Sequence, residues 1–162
     1  MKASQRFAEN LQQDDIIIAP GAFDVTSAKV AKELGFPAVY AGSHSVSSMG
    51  YGVNDIGFLD RSEMRDIVWR ISDAVDIPII ADCENGWGNA VHVARTVRSF
   101  EHAGAAAITI EDSEFGKHLT DKPVILDTRK AADKIRAAVD ARLDPNVKIV
   151  GRTDCFWSLG LD

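Results

Sequence analysis

Apolar residues recur along this chain in two alternating rhythms. Short runs with almost no polar interruption, Ile16-Ile17-Ile18-Ala19, Ala38-Val39-Tyr40-Ala41, Ile77-Pro78-Ile79-Ile80-Ala81, Ala105 to Ile110 and Lys148-Ile149-Val150, alternate with longer segments whose apolar positions fall three and four apart. The first kind reads as strands buried on both faces of a parallel sheet, the second as amphipathic helices that cover it. The helical segments turn inward Phe7 and Leu11 (over 4–13), then Val25, Ala28, Ala31 and Leu34, then Met64, Ile67, Val68, Ile71 and Val75. The two that follow bury Val93, Ala94, Val97 and Phe100, and Ala131, Ile135, Ala138 and Val139. Asp24 and Asp60 read as N-caps, Asp60 forming a capping box with Glu63, while Gly35 and Gly104 end their helices in left-handed conformations. Trp69 and Trp157 read as packing residues, and His92 and His102 as surface positions on a helix.

Strand, loop and helix repeat roughly every thirty residues, the pattern of right-handed βα units on a parallel sheet. A doubly wound sheet would carry a glycine-rich phosphate turn after its first strand, and Pro20-Gly21-Ala22-Phe23 is not one. A (β/α)8 barrel gathers polar groups at the carboxyl end of every strand, as here, but takes about 250 residues, and this chain has 162. The expected fold is therefore α/β of the (β/α)8 TIM-barrel type, with about the first five βα units, in one domain over residues 1–162 that is a piece of a longer reading frame. The first and fifth strands would then be exposed edges.

Composition narrows the partners. Eighteen basic and 24 acidic residues give a net charge of -6 with no basic run, which argues against nucleic acid or an anionic membrane. No apolar stretch nears the roughly 20 residues of a membrane span, and no secretory signal follows Met1, so the cytoplasm is the expected location. The two cysteines, Cys83 and Cys155, lie in no metal-binding pattern and are expected to be free.

The candidate chemistry sits at the strand ends. The segment Ala81-Asp82-Cys83-Glu84-Asn85-Gly86-Trp87-Gly88-Asn89 follows the third strand, where alternation would set Asp82 and Glu84 on one side and Cys83 on the other. Two carboxylates so close need a proton or a cation between them. Tyr40 and Ser43, Asp55 in the long loop 43–58, Glu111, Arg152 and Asp154 would converge on the same mouth. An oxygen-only cluster suits Mg2+ or Mn2+ rather than zinc, and Arg152 offers a planar donor fork to a carboxylate or a developing oxyanion. Plainer readings stand beside these. Asp82 and Glu84 can be a capping pair, Glu111-Asp112 a solvated loop start, Arg152 and Asp154 a structural ion pair, and Tyr40 a core residue. His44 and His118 lie in loops.

Taken together, Pro20-Gly21-Ala22-Phe23-Asp24, Val39-Tyr40-Ala41-Gly42-Ser43, Asp82-Cys83-Glu84-Asn85-Gly86-Trp87-Gly88-Asn89, Ile110-Glu111-Asp112 and Gly151-Arg152-Thr153-Asp154 resemble, in order, the motifs of the isocitrate lyase and phosphoenolpyruvate mutase superfamily. The likeness is to the methylisocitrate lyase and carboxyphosphonoenolpyruvate mutase branch. It implies a (β/α)8 barrel, usually tetrameric, with Mg2+ near Asp82, Glu84 and Glu111. It also implies a small α-oxy or α-keto carboxylate held by Tyr40, Gly42, Ser43 and Arg152, and cleavage through a pyruvate-type enolate. Asp55 matches the superfamily's Asp in the loop after the second strand. Two departures stand out. The lyases' gating-loop Cys is missing from Ser113-Glu114-Phe115-Gly116-Lys117-His118-Leu119, which leaves Lys117 or His118 to supply the proton. Glu84 also replaces a shorter Asp. The resemblance points to a carbon-carbon lyase, with mutase or phosphonopyruvate hydrolase chemistry as the alternative, and a catalytically silent binding or assembly fragment as the reading from another class.

Overall fold

The structure, a computed structural model, describes residues 1–116, 119 and 121–160. Its centre is one parallel sheet of β1 (Val39–Ala41), β2 (Ile79–Asp82), β3 (Ala107–Glu111) and β4 (Lys148–Arg152), paired in sequence order with no reversal. A doubly wound sheet reverses its strand order at a switch point, whereas consecutive parallel neighbours are what an advancing barrel wall produces. Helices α2 (Val25–Glu33), α4 (Arg61–Ala74), α5 (Ala90–His102) and α6 (Thr128–Ala141) fall between the strands, α1 (Ala3–Asn10) precedes them, and a short α7 (Cys155–Leu159) follows.

The sheet's two faces have different neighbours. Val39, Ala41, Ile79, Ala81, Ile108 and Ile110 pack with Met64, Val68, Ile71, Val93, Val97 and Phe100 in the main core beneath the helices. Ala38, Ala106 and Ala107 meet Phe7 of α1 on the opposite face, with Ile17, Ala19 and Ile80 packed against them. Both faces are thus covered near the amino ends of the strands, which explains their lack of polar alternation. The expected caps form. Asp24 accepts from Ser27 N at 2.7 Å, and Asp60 and Glu63 complete a reciprocal box. Gly35 and Gly104 take φ values of 81° and 94°.

Several expectations fail for identifiable reasons. The run Ile16–Ala19 does not form a ladder strand. It touches the sheet through a single parallel bridge from Gly21 to Tyr40, with Tyr40 N donating to Pro20 O at 2.9 Å. Among the described residues no strand lies beyond it, and Ile16 is 90% exposed. Leu34, Trp69, Val139 and Trp157 are exposed rather than packed. Trp69 and Val139 each directly follow an inward residue, Val68 and Ala138, and so turn about 100° off the buried stripe. The loop 43–58 opens with a helical turn, α3 (Ser43–Ser45), that runs into a π-helical turn, Val46–Tyr51.

Candidate active site

β2 ends at Asp82, and the chain leaves the sheet through a strained turn. Glu84 and Trp87 adopt φ of 48° and 55°, and Gly86 and Gly88 are also positive. Left-handed backbone at non-glycine residues persists only where the surroundings enforce it. Here Asp82 Oδ1 accepts from Glu84 N at 3.1 Å, Glu84 O accepts from Glu111 N at 2.9 Å, and buried Thr96 Oγ1 holds Gly86 O at 3.2 Å. Trp87 stacks on Phe100, ring centroids 5.8 Å apart, and its Nε1 donates to Leu59 O. Strand alternation is therefore not what brings Glu84 beside Asp82; the turn does it. Cys83 points the other way, into the main core, as expected.

The predicted residues meet at the carboxyl ends of the strands. Asp82 is buried and its Oδ2 accepts from Ser43 N at 3.4 Å and Ser43 Oγ at 3.3 Å. Glu111 is buried and accepts a short hydrogen bond from the buried Ser113 hydroxyl. Arg152 lies between the strands' acids, with Nη1 at 3.6 Å from Glu111 and 4.0 Å from Asp82 and Nε at 3.0 Å from Asp154. Asp55 shares a narrow cleft with Glu84 and Glu111, and His44 Nδ1 is 3.7 Å from its carboxylate. Tyr40 rises from β1 toward Asp82, and burial together with that carboxylate pushes its phenol well up. Gly42 caps α3, and a Cβ there would sit 3.1 Å from the Tyr40 ring. Lys117 and His118 lie outside the described residues.

Electrostatics give the cluster its character. Burial, then the neighbouring Asp82, outweigh a Ser43 hydrogen bond and push Glu84 up to about 7, with Glu111 and Asp55 adding to the rise. Burial alone would weaken the charge on Arg152, but Glu111 and Asp154 overcome it and hold the guanidinium protonated. Among the described residues no three His, Cys, Asp or Glu side chains already stand as a metal-binding group. The donors nevertheless fit a hard divalent cation in kind. They are all oxygen, and the Glu84 carboxyl is crowded by those of Asp82, Glu111 and Asp55.

Sequence reading missed three participants. Ser113 donates to Glu111. Asp112 accepts from Thr153 Oγ1 and Asp154 N at 2.5 and 2.9 Å, so it sets the segment that orients Arg152. Thr109, in register with Asp82, keeps its Oγ1 buried without a hydrogen-bond partner among the described residues. A polar residue inside an apolar strand was the available signal for Thr109.

Parallel βα units in sequence order, with carboxylates and an arginine at the carboxyl ends of the strands, define a barrel-type α/β protein with a polar mouth. The family model of phosphoenolpyruvate phosphomutase matches residues 7–162. The chain belongs to that family, within the isocitrate lyase and phosphoenolpyruvate mutase superfamily. It is 38% identical to the 2,3-dimethylmalate lyase of Eubacterium barkeri, covering 100% of this chain and 57% of that protein. It is 34% identical to the 2-methylisocitrate lyase of Shewanella oneidensis, covering 99% of this chain and 56% of that protein. A crystal structure of phosphonopyruvate hydrolase in complex with oxalate and Mg++ superimposes with a TM-score of 0.89 at 31% identity, covering 96% of this chain and 54% of that one. The chain thus spans about half the length of the relatives it matches, and its fold is a partial barrel of their type. Among the described residues no helix is long and apolar enough to cross a membrane.

Proposed function

We propose that this chain carries the metal and substrate half of a Mg2+-dependent carbon-carbon lyase acting on a small α-oxy or α-keto carboxylate through a pyruvate-type enolate. The observation that carries this reading is the meeting of Asp82, Glu84 and Glu111 with the Arg152 guanidinium at one mouth. Asp82, Glu84 and Glu111 would hold the cation; bound there, Mg2+ would supply Lewis-acid polarisation of the substrate's oxygens.

The chain's own groups do the rest. Arg152, steered by Asp154, presents N–H donors to a carboxylate or to the oxyanion that develops on cleavage. Gly42 and Ser43 offer backbone to the substrate's carboxylate, Ser43 exchanging its long contacts with Asp82. Tyr40, with its proton held firmly, is a hydrogen-bond donor and not a base. Asp55 lines the same cleft as Glu111 and is an acid-base candidate, and by sequence Lys117 and His118 are the proton-donor candidates. Working as a homo-oligomer in the cytoplasm completes the proposal. The missing gating-loop thiol favours a second reading, hydrolysis of a phosphorus-carbon bond, as in the phosphonopyruvate hydrolase relative.

The test is calorimetric titration of oxalate, an enolate mimic, with and without Mg2+. Binding is expected only with Mg2+ and should be lost in Asp82→Ala; Mg2+-independent binding, or binding unchanged in the variant, would overturn the metal assignment. Pyruvate formation from 2-methylisocitrate or 2,3-dimethylmalate supports the lyase reading, whereas pyruvate with phosphate from phosphonopyruvate supports hydrolysis.

A further inference from the structure

Lys134 is an unusual residue on α6. Only 5% of it is exposed, yet among the described residues its ammonium has no hydrogen-bond or ion-pair partner. Burial lowers its pKa, and the carboxylates of Glu111 and Asp112 act on it from beyond bonding distance. An unpaired ammonium carries three N–H donors and no acceptor, so it gains from an anion brought to it.

The space beside it is built to receive one. Lys134 lines a cavity of about 640 Å3 between the loop after β2 and the first turns of α6, together with Asn85, Asn89, Lys130, Phe115 and Leu126. Asn85 and Asn89 spend their side-chain oxygens on Trp87 N and on Val91 N and His92 N, which leaves both amide NH2 groups as donors. Asn89 is also the N-cap of the 13-residue α5, whose dipole favours negative charge. Phe115 and Leu126 supply an apolar wall. Two carboxylates share the lining: Asp133 is already paired with Arg136, and Glu114 is exposed in the adjoining loop.

We propose that this cavity is a second carboxylate site, separate from the mouth at Asp82 and Arg152, which takes a small organic acid with a short apolar tail. Lys134 and the two asparagine amides hold the carboxylate, and the tail lies against Phe115 and Leu126. Asn85, Glu114 and Phe115 also border the cleft of Asp55, Glu84 and Glu111, so the two sites adjoin. The proposal stands whether or not the lyase reading does.

Butyrate titrated into the metal-free protein, followed by 1H–15N spectra, is the test. Saturable shifts are expected at Asn85, Asn89, Ala90 and Leu126, and none with butylamine at equal concentration. Lys134→Met should weaken binding about tenfold or more, the worth of one charged hydrogen bond. Leu126→Trp, which fills the cavity and keeps Lys134, should abolish it and decides the matter if Lys134→Met fails to fold. No saturable shift, equal affinity in either folded variant, or shifts centred on Ser43 and Arg152 would overturn the proposal.

Discussion

Asp24 lies at the turn where the Pro20–Asp24 segment enters α2. Its carboxylate accepts from Ser27 N, and that bond, reinforced by the Ser27 hydroxyl, lowers its pKa below the usual 3.8. Asp24→Ala should therefore cost about 1 kcal/mol in urea unfolding at neutral pH. The sign with pH follows from the depressed value: the stabilisation is present above 3.8 and is lost as pH falls through the folded pKa, so the gap between variant and parent should narrow there. A gap that stayed constant into acid would show that the cap works through its shape and not its charge. Glu84 presents the opposite balance. Burial and three other carboxylates, those of Asp82, Glu111 and Asp55, oppose its charge, and among the described residues a Ser43 hydrogen bond relieves it.

Among the elements, the junction of β2 with α5 matters most, because its left-handed turn aims Glu84 and begins the helix whose first residue, Ala90, lines the cavity beside Lys134. Gly86 has φ 80°, and a Cβ there would stand 2.5 Å from Val93 Cγ2, a buried core atom. Gly35 has a nearly equal φ of 81° with nothing within 4 Å. Gly35→Ala thus pays only the backbone strain, about 1 kcal/mol, whereas Gly86→Ala should cost clearly more, about 3 kcal/mol with the clash. Thermal unfolding of the two variants side by side checks this; equal losses would mean that α5 shifts freely and that the turn is not locked.

At the scale of the molecule, the sheet is open on two sides. Ile16 and Ile18 are exposed along one edge, and Val150, Phe156, Trp157 and Leu159 along the other. Unpaired strand edges with apolar flanks associate. Sedimentation should therefore show weight-average mass rising with concentration, and Val150→Lys should lower it; a monomer at all concentrations would contradict this.

Local pattern was enough for the strand-loop-helix order, the caps at Asp24 and Asp60 and the inward faces of the central helices, because periodicity and capping depend on neighbours within a few residues. The strand-end acids and Arg152 were legible for the same reason: each follows directly on an apolar run. What distant segments decide was not legible. Whether Ile16–Ala19 pairs as a strand depends on a neighbour across space; without one Ile16 and Ile18 face solvent, while Ile17 and Ala19 pack against the sheet. Glu84 reaches Asp82 through a left-handed turn held by Glu111 and Thr96, contacts that no reading of alternate residues contains. Nothing in the local pattern singles out Lys134; only the packing of α6 leaves it 5% exposed beside a cavity.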